Sequence, residues 1–199
     1  MTVPASVDDA FLLSGRAEPD LAAAGAAAGA LLTALGVDLG GVLGRTRARM
    51  ARALEELLTP RPFDLTTFPN DEGYRQMVIE RDIPFTSLCE HHFLPFTGRA
   101  YVAYLPGERI LGLSKLARVV EMFAWPQVQE RLTQQVADWL HGQLKPAGTG
   151  VVVVAEHLCM TLRGARAGGT TTVTSALHGV LLNDPRARGE FFALSGITP

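Results

Sequence analysis

The sequence predicts an α+β fold: a four-stranded antiparallel sheet with two helices on one face, preceded by N-terminal helices. Two observations predict it. From residue 76 onward the side-chain periodicities run strand, strand, helix, helix, strand, strand. Before residue 59 they are helical only, on an Ala-rich background. Strands grouped at both ends of a helical pair give an antiparallel sheet with its helices segregated to one side, which leaves the other face uncovered within one subunit. Oligomerisation is the usual remedy for such a face and for open sheet edges.

Residues 1–18 mix Pro, Gly, Ser and acidic residues without a period and read as a flexible arm. Residues 19–74 form a helical extension and connector. Its first helix carries Leu21, Leu31, Leu32 and Leu35 and stops at Gly36. Its second runs from Thr46 to Leu58, with Met50, Leu54 and Leu57 as the apolar stripe, Arg47, Arg49 and Arg52 as the basic side, and Pro60 as the stop. Residues 75–199 are the sheet-bearing domain. Strands are predicted over 76–85 and 98–105, the latter closed by a turn at Pro106-Gly107. A helix follows from Ser114, with Leu116, Val119, Val120 and Phe123 on its apolar face. Another starts near Pro126, a favoured first-turn residue, with Val128, Leu132 and Val136 inward. A Val-rich strand over 148–156, a Thr-rich strand over 170–180 and a short helix opened by Pro185 complete the chain.

Composition bounds the function. An apolar fraction of 47% suits a globular core, and a net charge of −2 gives no general attraction to nucleic acid or to a membrane surface. The apolar stretch from Ala22 to Leu35 is too short to span a bilayer and lacks the basic flank of a signal peptide. The expectation is a cytoplasmic, reducing setting, where Cys89 and Cys159 serve as thiols or metal ligands rather than as a disulfide.

Three of the five histidines lie within three residues of a cysteine: His91 and His92 follow Cys89, and His157 precedes Cys159. A Cys-x-x-His segment plus a distant Cys supplies three ligands, Cys89, His92 and Cys159, of the right softness for Zn2+, with a fourth position left for water. The alternative is a pair of buried thiols with hydrogen-bonded imidazoles. His91 and His157 would remain beside the metal, suited either to proton transfer or to orienting the ligands. A second cluster lies at Leu113-Ser114-Lys115-Leu116-Ala117-Arg118. Ser114 is a natural N-cap, and Lys115 and Arg118 share one helix face near its N-terminus, so the segment is either an anion site or a solvated face. In Gln127-Val128-Gln129-Glu130-Arg131, Gln129 and Glu130 fall away from the core-facing Val128 and Leu132. There a carboxylate can take two hydrogen bonds from an amidine-like edge, or simply face water.

Together these segments resemble the GTP cyclohydrolase I family. The resemblance rests on Ser87-Leu88-Cys89-Glu90-His91-His92, Leu111 to Arg118, Gln127 to Thr133, His157-Leu158-Cys159-Met160 with Arg163-Gly164, and echoes over 172–175 and 188–191, spanning about residues 44 to 194. It implies the tunnelling fold, a barrel assembled from the sheets of several subunits, with pentameric rings paired as a homodecamer. It implies zinc on Cys89, His92 and Cys159, and proton transfer by His91 and His157. Gln129 and Glu130 would hold the guanine edge, Leu113 would bind substrate, and Ser114 would lie near the ribose and phosphates and help the proton transfers of the ribose rearrangement. Lys115, Arg118 and Arg163 would contact the triphosphate, with Arg49 and Arg52 lent by a neighbouring subunit. The implied reaction is hydrolytic opening of the GTP imidazole ring, loss of formate, rearrangement of the ribose and closure to 7,8-dihydroneopterin triphosphate for tetrahydrofolate or pterin biosynthesis.

The chain departs from the family pattern in three places: one residue fewer at Trp125, Thr46-Arg47 where the family has Thr-Pro, and a Gly-rich segment over 37–44. Two alternatives to the main reading are a paralogue feeding a secondary pathway such as 7-deazaguanine synthesis, and a catalytically silent assembly protein.

Overall fold

The computed structural model describes residues 18–59, 61 and 64–197. The predicted N-terminal arm up to residue 17, and Pro60, lie outside the described residues. The described residues divide into two compact units, one over 18–59 and one from Arg61 onward.

In the first unit, helix α1 spans Leu21–Ala34 and helix α2 spans Thr46–Leu58, joined through a short 3-10 turn at Gly41–Arg45. Asp20 caps α1, its Oδ1 accepting from the Ala23 N–H at 2.9 Å. Gly25, Ala28 and Gly29 are the buried residues of α1, and Ala51 is that of α2. The two helices therefore meet through small residues rather than through the predicted leucine stripe, of which Leu54 and Leu57 are only half-buried.

The second unit holds β1 (Thr67–Pro69), β2 (Val78–Leu88), β3 (Pro95–Leu105), β4 (Arg109–Leu111), helix α3 (Ser114–Phe123), helix α4 (Gln129–Leu144), β5 (Gly148–His157), the single turn α5 (Leu158–Thr161), β6 (Thr172–Gly179), the single turn α6 (Val180–Asn183) and helix α7 (Pro185–Ser195). The main sheet is four-stranded and antiparallel throughout, in the order β2-β3-β5-β6. β1, inside the predicted connector, pairs with β4 as a separate ribbon, where Arg109 Nε donates to Thr67 Oγ1 at 2.7 Å. Three-residue strands leave too little alternation to be read from sequence.

Strand register sorts the sheet into two faces. Ala100, Val102 and Tyr104 share one face with Val153, Val151 and Thr149, their antiparallel partners. This face packs on α3 and α4 through Leu116, Val120, Leu132, Val136 and Leu140, all essentially inaccessible to water. Burying each such aliphatic side chain contributes roughly 1.5–3 kcal/mol relative to exposure. The opposite face is not bare, as the sequence pattern suggests. Ala103 and Val152 are buried there with Leu181 of α6 and Phe191 of α7. Asp184 caps α7 by accepting from the Arg186 N–H at 2.8 Å, with Pro185 in the first turn. The C-terminal helices thus cover one end of the second face and leave Thr97, Arg99, Val173 and Ser175 exposed on it.

Helix α4 begins at Gln129, three residues after the predicted start at Pro126. The reason lies in the backbone: Gln127 forms a parallel bridge with Cys89. The Gln127 N–H donates to Leu88 O at 2.9 Å, and the Glu90 N–H donates to Gln127 O at 3.2 Å. A residue held extended in a bridge cannot also be helical. Ser114 likewise opens α3 without capping it, because the preceding Leu113 has helical torsions and no side chain caps the end. The turn is instead closed by Lys115 N–H to Gly112 O at 2.8 Å and Leu116 N–H to Leu113 O at 3.1 Å.

Candidate active site

The site is built where β2, β5 and the start of α4 converge. At the end of β2 the chain folds back tightly: the Phe93 N–H donates to Cys89 O at 2.8 Å and the Cys89 N–H to Leu94 O at 2.8 Å. Phe93 takes φ of 57°, an uncommon region for a bulky residue, to complete this turn. The fold-back places His91 Nδ1 3.8 Å and His92 Nδ1 3.9 Å from Cys89 Sγ. At the end of β5, His157 stacks on Phe96, its register partner on β3, with ring centroids 4.7 Å apart and planes 2° from parallel. Two residues on, α5 presents Cys159.

Cys89, His92 and Cys159 form one group whose ligand atoms lie within 4.8 Å of one another. Distance from Cys89 Sγ leaves His91 and His92 nearly equivalent; the proximity of Cys159 to His92 separates them. Tetrahedral coordination with metal–sulfur and metal–nitrogen bonds of about 2.3 Å and 2.0 Å puts sulfur and nitrogen about 3.5 Å apart. The 3.9 Å between Cys89 Sγ and His92 Nδ1 needs only a small contraction to meet it. Burial raises the Cys159 thiol, and the adjacent Cys89 thiol raises it further, against a smaller opposing effect from Arg163. Two thiols held together in this way fit a soft dication, which stabilises both as thiolates.

The group opens onto a cleft of about 300 Å³. Its wall includes His91, Glu130, His157 and Thr172. Burial lowers the His157 imidazole, while Glu130 partly opposes the shift. Next to lining residues on both segments, Arg131 grips Glu90 at 2.7 Å and 3.3 Å. This pair holds the Glu90 carboxyl below its usual range, chiefly through the hydrogen bond from Arg131.

The predicted site residues separate into two sets. Cys89, His91, His92, Gln129, Glu130, His157 and Cys159 come together at the cleft. Leu113, Ser114, Lys115, Arg118 and Arg163 do not line it. Arg118 Nη1 instead donates to Glu121 Oε2 at 3.0 Å, and Glu121 also accepts from Arg61. Arg49 and Arg52 are exposed on α2, in the first unit.

Gln129 departs from expectation. It is 1% exposed, not turned away from the core. Its Nε2 donates toward Val153 O and Thr172 O at 3.0 Å each and toward Thr174 Oγ1 at 3.1 Å, while Oε1 lies 2.7 Å from His157 Nε2. Sequence reasoning also missed Gln127, Arg131, Phe96, Thr133 and Thr174. Gln127 and Arg131 lay within a segment already singled out, and Thr133 and Thr174 carried a signal as hydroxyls on α4 and β6.

An α+β domain with a Cys-His-Cys group able to hold a metal, two further imidazoles and a carboxylate in one cleft has the parts of a metallohydrolase. The family model for GTP cyclohydrolase I matches residues 24–196. That match begins ahead of the motif segments and takes in most of α1. A protein of Aquifex aeolicus (strain VF5) named GTP cyclohydrolase 1 is 53% identical over 153 residues, covering 76% of this chain and 83% of that protein. One of Hydrogenobaculum sp. (strain Y04AAS1) with the same name is 51% identical over 150 residues, covering 75% and 82%. A third so named, from Chlorobium chlorochromatii (strain CaD3), is 54% identical over 124 residues, covering 62% and 56%. The chain belongs to the GTP cyclohydrolase I family.

Proposed function

We propose that the protein is a zinc-dependent GTP cyclohydrolase I, which opens the imidazole ring of GTP, releases formate and forms 7,8-dihydroneopterin triphosphate. The observation that carries the reading is the Cys89–His92–Cys159 group, facing the same cleft as His157 and Glu130. Two thiolates and an imidazole suit zinc, and zinc there supplies the Lewis acidity that brings the pKa of water toward neutrality.

The chain's own residues do the remainder. His157 moves a proton at the guanine imidazole nitrogen as the ring opens, and His91 serves the later proton transfers. Glu130, exposed at the cleft, takes the guanine N1 and N2 hydrogens as a two-point acceptor. Ser114 and Leu113 attend the ribose end. Lys115, Arg118 and Arg163 neutralise the triphosphate, and Arg49 and Arg52 do so from another copy.

The active form is a homo-oligomer built from pentameric rings, a decamer, with residues 75–199 as its tunnelling-fold catalytic domain. Two features support this. β2 and β6 are edge strands, and Val173 on β6 is 55% exposed. The Leu113–Arg118 segment also stands apart from the cleft of its own chain, so a second copy is the natural source of these residues.

The test is incubation of the zinc-loaded protein with GTP, following formate release and the fluorescence of the oxidised pterin product. Stoichiometric formate with pterin fluorescence is expected. Unchanged GTP, or formate without a pterin, overturns the reading.

A further inference from the structure

We propose that Thr133 and Thr174 are positioning residues for His157, acting through Gln129 to fix which nitrogen of the imidazole is free to exchange a proton. This rests on the reading above that His157 transfers a proton in the reaction.

The two ends of the Gln129 amide can be told apart by their partners. One end faces the backbone carbonyls of Val153 and Thr172, each at 3.0 Å. Carbonyl oxygens only accept, so this end is the NH2 group. The reversed amide would set oxygen against two oxygens inside a buried site, where an unpaired polar group is costly. The other end is therefore Oε1, at 2.7 Å from His157 Nε2. Oε1 also only accepts, so His157 Nε2 carries a hydrogen, and the lone pair of the neutral ring is on Nδ1. Every proton that His157 gives or takes during turnover passes through Nδ1.

The threonines close the chain of donors. Thr133 Oγ1 donates to Gln129 O at 2.8 Å, which uses its single hydrogen. In the 2.6 Å contact between the two hydroxyls, Thr174 is consequently the donor and Thr133 the acceptor. Thr174 Oγ1 in turn accepts one of the two Gln129 Nε2 hydrogens at 3.1 Å, and the carbonyls of Val153 and Thr172 share the other. The loop runs from the Gln129 amide through Thr174 and Thr133 back to the Gln129 carbonyl, with one direction throughout. Linked bonds of this kind polarise one another and hold a single arrangement. Thr133 and Gln129 are 1% exposed, so water does not substitute for either partner. Phe96 stacked against the ring restrains its plane, and the Gln129 loop sets its rotation and tautomer.

The experiment has a resting-state arm and a kinetic arm, both on the zinc-loaded protein. Solid-state 15N spectra of histidine-labelled protein, with the His157 signals assigned by their loss in His157→Asn, report the tautomer without any substrate. A protonated Nε2 on His157 is expected, and an unprotonated Nε2 overturns the proposal. In the kinetic arm, Thr174→Val should lower kcat for GTP about tenfold or more, as misorientation of a reacting group does. KM and zinc content should stay within about twofold of wild type, and Thr174→Ser should recover activity. A Thr174→Val variant with wild-type kcat, or one changed only in KM, overturns the proposal. Should the valine variant not fold, the tautomer in the wild type still decides. Absence of GTP turnover in the wild type would defeat the parent reading and leave the spectroscopic result standing.

Discussion

The carboxylate of Glu90 accepts two hydrogen bonds from the guanidinium of Arg131, at 2.7 Å and 3.3 Å, and so ties the turn after Cys89 to the first turn of α4. Glu90 lies between the two residues whose spacing defines the metal group, and Arg131 follows the residue proposed to read guanine. The pair therefore spans the two halves of the site, with the Cys89–Gln127 backbone bridge beneath it.

Both partners are solvent-exposed, so the pair adds little to global stability. Its effect should appear locally instead. Arg131→Ala is expected to leave the thermal midpoint nearly unchanged while weakening zinc about tenfold in chelator competition, because groups that orient metal ligands typically carry that weight. High salt should reproduce part of the loss in the wild type. A variant that melts early yet binds zinc normally would assign the pair to stability rather than to the site.

His157, at the end of β5, and Cys159, two residues on, should separate metal binding from chemistry. Cys159→Ser removes one of the three proposed ligands, so metal content by elemental analysis and GTP turnover are expected to fall together. His157→Ala keeps all three ligands and should retain zinc and GTP binding while turnover falls roughly a hundredfold to ten-thousandfold, the usual weight of a general acid–base group. Loss of zinc in His157→Ala would make it a structural support of the ligand turn.

How much of this was legible in the sequence depends on where each partner lay. Cys89 and His92 are three residues apart and Cys159 has His157 beside it, so the metal group could be read without a fold. The strand and helix order was legible because Val-rich and Thr-rich runs alternate visibly with helical stripes. The role of Gln129 was not. Its helical position suggested a side chain turned away from the core, but the bridge at Gln127 delays α4 by one turn and sends Gln129 inward to β5 and β6. The cover on the second sheet face was hidden too, since Leu181 and Phe191 meet Ala103 and Val152 only once the C-terminal chain has folded back.

A histidine cluster away from the cleft gives a pH prediction. His141 Nδ1 lies 3.2 Å from Thr149 Oγ1, and its ring stacks on His178 at 4.9 Å. His178 Nε2 is 2.7 Å from Asp138 Oδ1. Burial lowers the His141 imidazole and the neighbouring His178 lowers it further, while Asp138 partly opposes them. A folded-state value below that of the unfolded chain means the unfolded chain binds more protons as pH falls past about 6.5. The stability His141 contributes is then present above that pH and is lost on acidification towards its folded value. The urea midpoint should fall between about pH 7.5 and about pH 5.5, and fall less in His141→Asn. Both proteins carry the same metal group, so the difference between them isolates His141. Equal losses in the two proteins would remove His141 from the acid response.

The separation from the cleft of the residues proposed for the triphosphate predicts complementation between defective copies. Cys89, His92 and Cys159 lie in one cleft, and Ser114, Lys115 and Arg118 lie outside it on α3 of the same chain. If the site draws these cations from a second copy, a subunit without its zinc group can still lend them, and a subunit without the cations can still hold zinc. Cys89→Ser and a double Lys115→Ala, Arg118→Ala variant should each be inactive alone. Co-expressed, they should form mixed particles in which some sites pair an intact zinc group with an intact cation donor. Random assembly in equal amounts gives about a quarter of the sites that pairing, so roughly a quarter of wild-type turnover is expected, on the premise that sites act independently. The same logic applies to Arg49→Ala with Arg52→Ala, on α2. A kinetic signature accompanies the recovery: the cation variant by itself should lose affinity for GTP far more than for guanosine, since a charge-assisted contact to phosphate contributes roughly 1.5–3 kcal/mol. Sites built from a single chain would leave every mixture inactive, and full activity in a monomer measured by light scattering would refute sharing directly.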